Sequence, residues 1–180
     1  TMKSFDCNGY PFYSSGSLFI TPDDSILIGA GSSDGVNVCK ILPDGTSSVF
    51  SVVSGTSDIL SLRHVDGTGN LFFSGEHTVF KTNSNGFILF KFEVQGDLGE
   101  EFIDINHMTT DNEGNIYVQG RYHTSGNVYP QETVKFNSGG IRQNLIVFPE
   151  NETYDYTFLE FDSDGNQYYY SGNYNTPAKL

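Results

Sequence analysis

Short apolar runs separated by turn residues follow one another along the whole chain. Examples are SSVFSVV, FILFKFEV and NLIVF, and no longer window carries the 3.6-residue period of an amphipathic helix. The 180 residues include 20 glycines, 15 phenylalanines and 11 tyrosines, which favour turns and strands. These patterns predict an all-β fold.

One turn with a following strand occurs three times. DGTGNLFFSG begins at Asp66, DNEGNIYVQG at Asp111 and DSDGNQYYYSG at Asp162. We expect each aspartate to accept backbone N–H bonds, and each glycine to take the left-handed conformation that closes a three-residue hairpin loop. In a divergent copy, LFITPDDSILIGAG, Thr21 stands at the aspartate position and Asp24-Ser25 replaces Gly-Asn.

A lysine that ends a short strand, shortly before a turn glycine, is the second repeated feature. Its spacing averages roughly 44 residues, which is typical of propeller blades with four short strands each. A structural role, with the aliphatic stem across the blade and the ammonium group on a turn acid, is the expected one. A functional ring is the alternative. The copies are Lys3, Lys40, Lys81, Lys135 and Lys179.

The two features together predict one small β-propeller domain over residues 1–180, with about four four-stranded blades. Its units are about 16–55, 56–98, 99–150, and 151–180 joined with 1–15. The N-terminal segment of the sequence matches the second half of a unit, and the C-terminal segment matches the first half. Joined, the terminal strands would close the last blade and leave no free sheet edge. Alternatives are a slice of a longer array and self-association through the terminal strands.

The run HMTTDNEGNIYVQGRYHTSGNVYPQETVKFNSGG, His107 to Gly140, resembles the bacterial beta-propeller repeat of secreted and surface proteins. That family pairs a D-x-x-G-N-[IV]-Y-V-x-G strand with a downstream V-x-K-[LF]-x-x-x-G strand. Weaker copies cover nearly all of the chain, although the first unit lacks D-x-x-G-N and larger propellers are usual for such repeats. The resemblance implies the fold, favours an extracellular or surface location, and implies no single function.

Charge and cysteine content exclude several classes. The net charge of −13 argues against a nucleic-acid partner, because such affinity comes from lysine and arginine. The apolar runs are far too short for a membrane span, so we expect no membrane insertion.

Cys7 and Cys39 fall in different parts of the repeat, so we do not expect a native disulfide or a zinc site. Localisation stays open.

The first strand of each propeller blade lines the central axis. Two residues before the first turn, the four units place Phe19, His64, Thr109 and Glu160. A histidine and a glutamate converging there would make an acid/base or metal pair. A propeller-type lyase or hydrolase using His64, Glu160 and His107 is therefore one alternative. Hydrogen-bonded channel residues surrounded by water are the other interpretation.

The turn DSDGN also permits a calcium hypothesis. It spaces Asp162, Asp164 and Asn166 two residues apart, as calcium loops space their oxygen ligands. The sister turns lack aspartate at the third position, and no glutamate follows at the twelfth. We therefore predict a hairpin turn and no cofactor, with calcium as the alternative.

The longest insertion, Tyr122–Gln131 (YHTSGNVYPQ), interrupts the repeat and carries Tyr122, His123 and Tyr129. Loops that break a repeat often carry function, and aromatic side chains stack on sugars or anchor protein partners. A spacer loop is the alternative. The sequence predicts a non-enzymatic binding module for a glycan or a protein. An enzyme, and a structural blade unit of a larger surface or phage assembly, stay open.

Overall fold

The chain is all-β, as predicted. The computed structural model describes Cys7 and residues 17–32, 35–53, 59–96, 102–122, 131–146 and 156–172. These residues form fourteen strands in four antiparallel sheets and contain no helix. Within the same ranges, nothing helical has the length and apolarity that a membrane crossing requires.

Each sheet follows chain order, so neighbouring strands are joined by hairpins. The first sheet has β1 (Leu18–Ile20), β2 (Ile26–Ser32), β3 (Gly35–Ile41) and β4 (Ser47–Val53). The second has β5 (Ser61–Val65), β6 (Leu71–Ser74), β7 (Thr78–Thr82) and β8 (Ile88–Glu93). The third has β9 (Phe102–Thr110), β10 (Ile116–Tyr122), β11 (Gln131–Phe136) and β12 (Arg142–Ile146). The fourth is the pair β13 (Tyr156–Phe161) and β14 (Gln167–Gly172).

The sheets lie within the predicted units 16–55, 56–98, 99–150 and 151–180. The strands that residues 1–15 and 173–180 were expected to add to the fourth sheet lie outside the described residues, apart from Cys7. Closure of a last blade by the two termini therefore stays a prediction.

The repeated turn has the predicted chemistry. In the third sheet, Asp111 Oδ1 accepts the backbone N–H groups of Glu113 at 3.0 Å and Asn115 at 2.9 Å. The Asn115 side chain donates to Asp111 Oδ2 at 2.8 Å, which occupies the second oxygen. The glycines that close the three copies have positive φ angles, as expected: Gly69 (81°), Gly114 (78°) and Gly165 (81°).

The divergent turn reaches the same shape with different residues. Thr21 Oγ1 accepts the backbone N–H of Ser25 at 3.1 Å, as the aspartate carboxylate does elsewhere. Asp24 takes the place of the glycine with a φ of 59°. Asp23, which also hydrogen-bonds Thr21 Oγ1, supplies the carboxylate that pairs with Lys40 at 3.2 Å.

By contacts the chain divides into two compact units. In the described ranges, the first unit comprises residues up to Gly75 together with Val79–Lys91, and so holds the first sheet and most of the second. The second unit comprises Glu76–Thr78 and the residues from Phe92 onward, and so holds the third and fourth sheets.

In the first unit, the first and second sheets pack through an apolar core. Strand β5 contacts β1, β2 and β3. A Cβ atom on Gly29 would lie 2.8 Å from Cβ of Leu62, so the two sheets approach closely there. The core residues are Leu27, Val36, Val38, Val52, Leu60, Leu62, Leu71, Phe73 and Phe80, with Phe19, Phe50 and Val65 packed against them.

Cys7 and Cys39 form a disulfide, so the expectation of no native bridge was wrong. Their Cα atoms are 5.8 Å apart, and both residues are buried beside Ile41. The residues are 32 positions apart in sequence. Tertiary packing, which the repeat pattern does not specify, brings them together.

Candidate functional site

One face of the third sheet carries polar side chains at positions where the first sheet has mostly apolar ones, such as Leu27 and Val38. By register, Thr109, Tyr117 and Lys135 form one row across β9, β10 and β11. His107, Gln119 and Thr133 form the next row. Side chains two residues apart on a strand share a face, so both rows lie on the same side of the sheet. We call these six residues the polar face.

The polar face meets β13 of the fourth sheet at a hydrogen-bonded cluster. His107 Nε2 lies 3.0 Å from the carbonyl oxygen of Leu159 and 3.2 Å from Glu160 Oε1. A carbonyl oxygen only accepts, so Nε2 carries the proton. Thr109 Oγ1 donates to Glu160 Oε2 at 2.9 Å. Each carboxylate oxygen of Glu160 therefore lies within 3.2 Å of a polar side-chain atom of β9.

The cluster is open to solvent on the glutamate side. The Glu160 side chain is 57% exposed, whereas that of His107 is 19% exposed. The structure thus brings together three residues of the predicted axial set, His107, Thr109 and Glu160. A solvated carboxylate next to a proton-bearing imidazole and a hydroxyl can bind polar groups or exchange a proton with them.

Deeper in the sheet, Gln119 and Thr133 are almost fully buried. Gln119 Nε2 donates to Thr133 Oγ1 at 3.1 Å, and the two residues are 2% and 1% exposed. Across the described ranges, Gln119 Oε1 and Asn106 Oδ1 are buried oxygens that accept no hydrogen bond. Such atoms are rare in folded proteins and call for a specific explanation.

The other end of the polar face is an ion-paired aromatic group. Tyr117 donates its hydroxyl hydrogen to Asp111 Oδ2 at 3.0 Å, and Lys135 Nζ lies 3.8 Å from the same oxygen. Lys135 also lies 5.2 Å above the Tyr117 ring, and Phe161 packs on that ring at 4.7 Å. Burial raises the pKa of Tyr117, which keeps the phenol protonated. This end is packed rather than open.

The repeated lysine has the predicted structural role at Lys40, Lys81 and Lys135, whereas Lys3 and Lys179 lie outside the described residues. In the second sheet, Lys81 Nζ lies 3.6 Å from Asp66 and 5.1 Å above the Phe72 ring, with both charged side chains almost buried. Burial alone would raise the pKa of Asp66, but hydrogen bonds from Asn70 and Thr68 outweigh it and lower the pKa. The lysine therefore pairs with the turn aspartate in the second and third sheets alike.

The remaining residues of the predicted axial set lie in the first unit. The His64 ring lies 5.8 Å from the Phe72 ring on the second sheet, and His64 is half-buried. Phe19 packs against the apolar core. A pairing of His64 with Glu160 stays a prediction.

Of the predicted loop Tyr122–Gln131, the structure describes only the two end residues. Tyr122 is 9% exposed, and its ring stacks on Phe102 with centroids 6.4 Å apart. Its burial leaves little ring surface for a ligand. His123 and Tyr129 lie outside the described residues, so their role in binding stays a prediction.

The turn at Asp162 is a hydrogen-bonded hairpin loop. Asp162 Oδ1 accepts the N–H groups of Asp164 and Asn166, and Oδ2 accepts the Asn166 side chain and the Tyr168 hydroxyl. The hydrogen bond from the Asn166 side chain is the main cause that lowers the pKa of Asp162. In the described parts of the chain, no three His, Cys, Asp or Glu side chains cluster as metal ligands would. Calcium at Asp162 and Asp164 stays a prediction.

Sequence reasoning missed Asn106, Gln119 and Thr133. The signal was present, because Thr133 precedes its repeated lysine by two residues and Val38 holds that place in the first sheet. Gln119 likewise occupies the position of Gly29. Aligning the units by their turns would have shown polar residues replacing small or apolar ones.

Comparison with known proteins assigns no function. No protein-family model matches the chain, and no curated protein matches it. The resemblance to the bacterial beta-propeller repeat therefore stays a prediction, and any functional conclusion rests on the geometry of the site.

Proposed function

We propose that the chain is a small β-propeller of about four blades that acts as a non-enzymatic binding module. Its site is the solvent-open end of the polar face, where His107 and Thr109 hold the exposed carboxylate of Glu160. Four successive antiparallel sheets with equivalent turns support the propeller. So do contacts between first strands of successive sheets, β1 with β5 and β9 with β13.

The observation that carries this proposal is the polarity of the third sheet at positions that are apolar in the first. Phe19, Leu27 and Val38 contribute to a core, whereas the equivalent Thr109, Tyr117 and Thr133 each carry a hydroxyl group. Polar groups inside a sheet interface reduce stability unless they are paired or used. Departures from a structural repeat are therefore where a binding function is expected.

A glycan is the partner that these side chains fit best. Glu160 offers exposed carboxylate oxygens for sugar hydroxyls, and His107 and Thr109 hold that carboxylate in place. The predicted binding loop, Tyr122–Gln131, joins β10 to β11, the strands that carry Gln119 and Thr133. A protein partner at the same loop is the second possibility.

A glycan array followed by two matched variants tests the site. Glu160→Gln removes the charge with little change of shape, and Glu113→Gln makes the same change in the exposed turn of the third sheet. We expect Glu160→Gln to weaken every array hit at least tenfold, because charged hydrogen bonds are strong, and Glu113→Gln to leave the hits unchanged. Equal affinity in both variants would contradict this site.

An enzyme is a second candidate, favoured by the 3.2 Å contact between His107 Nε2 and Glu160 Oε1. A propeller-type lyase or hydrolase would use this pair to move a proton. Incubating array hits with the protein separates the two functions. A binding module returns each glycan intact, whereas an enzyme forms product and loses that activity in His107→Gln without a change in Tm.

Solution mass by light scattering tests the propeller itself. Closure of the ring within one chain predicts a monomer near 19.9 kDa that melts in one cooperative transition. A dimer or larger species would mean that blades complete one another between chains. In that case a structural unit of a larger assembly becomes the better description.

A further inference from the structure

We propose that the apolar face of the first sheet that carries Cys39 is an interaction surface for the chain's own N-terminal residues 1–15. The Cys7–Cys39 disulfide keeps that segment on the face, and reduction of the disulfide uncovers it. The surface is therefore sensitive to redox conditions. The inference concerns the first unit, goes beyond the proposed binding function and does not depend on it.

The first sheet has two apolar faces. One carries Phe19, Leu27 and Val38 and packs in the core with β5. The other carries two mainly apolar rows of side chains across all four strands, because residues two apart on a strand share a face. We call it the disulfide face, and its rows are Leu18, Ile28, Cys39 and Val49, and Ile20, Ile26, Ile41 and Ser47.

The disulfide face is best covered where Cys7 lies. Cys39 and Ile41 on the inner strand β3 are 0% and 2% exposed, and Cys7 is 6% exposed. Exposure is much higher on β1, where Leu18 and Ile20 are 61% and 68% exposed. Among the described residues of this cluster, Cys7 alone comes from outside the first sheet. The partly buried residues packed against the cluster are Ile26, Ile28 and Val49.

The N-terminal residues are the occupant that these observations select. Cys7 belongs to them, and its bond to Cys39 fixes one point of the segment on the face. The segment reads TMKSFDCNGYPFYSS, so it offers four aromatic side chains to an aliphatic surface. Burial of aromatic side chains stabilises such a contact. Any other occupant would compete with a segment that is already bonded to the face.

The disulfide decides whether the segment stays in place. Docking of a free segment orders its backbone and side chains, which costs conformational entropy. The bond between Cys7 and Cys39 restricts that freedom beforehand, because it closes the intervening chain into a loop. Without the bond, the full entropic cost opposes docking.

The surroundings of the protein set the state of the bond. A dithiol reduces it by exchange: the two thiols of the dithiol are oxidised to a disulfide, and two electrons and two protons convert Cys7 and Cys39 to thiols. Disulfides persist outside cells and in other oxidising compartments, whereas cytosolic dithiols keep cysteines reduced. We therefore expect the covered form in an oxidising compartment and the uncovered form in a reducing one.

Hydroxyl-radical footprinting of the full chain, with and without dithiothreitol, tests the proposal. The radicals modify side chains that water reaches, and mass spectrometry measures the extent at each residue. Ile41 and Leu62 form a matched pair, because they are 2% and 1% exposed and belong to the disulfide face and the core of the first unit, respectively.

Reduction should raise the modification of Ile41 roughly tenfold, toward that of Ile20, and leave Leu62 protected, because the segment opens locally while the core stays closed. Unchanged modification of Ile41 would overturn the proposal. An equal rise at Leu62 would also overturn it, since the whole first unit would then unfold on reduction.

A variant without cysteines shows that the bond itself is responsible. In Cys7→Ala, Cys39→Val, the modification of Ile41 should be as high as in the reduced wild type, with or without dithiothreitol. Low modification in this variant would mean that the segment covers the face without the bond, which contradicts the proposal. The wild-type comparison decides alone if the variant does not fold.

Dilution distinguishes the chain's own segment from a second copy. Protection of Ile41 in the oxidised protein should not change with protein concentration, because the segment and the face belong to one chain. Protection that is lost on dilution would assign the cover to a second copy and overturn the proposal. These experiments use no ligand, so failure of the proposed binding function would leave their outcome unchanged.

Discussion

The two compact units are built from equivalent strands and turns, but one sheet face is apolar in the first unit and polar in the second. In the first unit, the face of the first sheet that meets β5 is apolar, and Leu27 and Val38 are 1% and 0% exposed. In the second unit, the equivalent face of the third sheet carries Tyr117 and Thr133 and meets β13 through hydrogen bonds of Glu160. The turns and the lysine–aspartate pairs are common to both. The repeat therefore specifies the framework, and residues between the repeated positions decide whether a face becomes core or site.

This difference in polarity changes how much the buried side chains contribute to the stability of each unit. Full burial of an apolar side chain such as Phe73 contributes about 1.5–3 kcal/mol to stability. A buried amide oxygen without a donor, such as Gln119 Oε1, has the opposite effect, by about 1–3 kcal/mol. We therefore expect the first unit to be the more stable of the two.

Removal of a core side chain should cause the largest loss of stability. Phe73→Ala removes a ring that is 0% exposed and leaves a cavity, so the free energy of unfolding should fall by about 3–5 kcal/mol. Urea titration followed by circular dichroism measures the change. Thr133→Ala in the second unit is the matched comparison, and a loss as large as that of Phe73→Ala would remove the contrast between the units.

Removal of the disulfide should cause the next largest loss of stability, and this loss should be confined to the first unit. Cys7 and Cys39 are the two cysteines of the chain, and their bond closes a loop over 32 positions. The double variant Cys7→Ala, Cys39→Val should lose about 3–4 kcal/mol, because the unfolded chain gains the entropy of the opened loop. Hydrogen exchange should then speed up in β3 and stay unchanged in β10. Faster exchange in both strands would show that the units unfold together.

Acid should weaken both units in the same way, because the turn aspartates are common to them. Hydrogen bonds lower the pKa of Asp66 and Asp111 against the effect of burial. A lowered folded pKa stabilises the fold above the unfolded value of about 3.9, and that stabilisation is lost as pH falls through the folded value. Unfolding free energies measured from pH 7 down to about pH 2 should decline below about pH 4. Asp66→Asn and Asp111→Asn should each reduce that decline, and an unchanged decline would mean other groups cause it.

Local turn chemistry made much of the framework predictable. Asp66 and its equivalents lie three residues before the turn glycine, and Lys81 and its equivalents lie on the third strand of each four-stranded sheet, because backbone conformation and an ion pair require those residue types. The divergent turn was also predictable, since Asp24 tolerates the left-handed conformation that glycine adopts elsewhere.

Features that depend on packing were not predictable in the same way. The Cys7–Cys39 bond joins positions that only the folded chain brings together. Tyr122 looked like a loop aromatic, but its ring is covered by Phe102 across the sheet. The axial set was partly predictable: the shared position two residues before the turn identified Thr109 and Glu160, whereas the bulge at Asn106 changes the register beside His107. A bulge leaves no clear mark in the alternation of apolar and polar residues.

The free energy of unfolding of Gln119→Leu, Thr133→Val tests the central claim most directly. This double variant makes the polar face of the third sheet resemble the first sheet, and it removes both partners of a buried hydrogen bond together. Because Gln119 Oε1 has no donor, we predict that the variant is as stable as the wild type or more stable by about 1 kcal/mol, and that it binds ligand more weakly because Gln119 is the cross-strand neighbour of His107. A loss of more than about 2 kcal/mol would mean that these residues form a polar core, and the account of the third sheet as a binding site would be wrong.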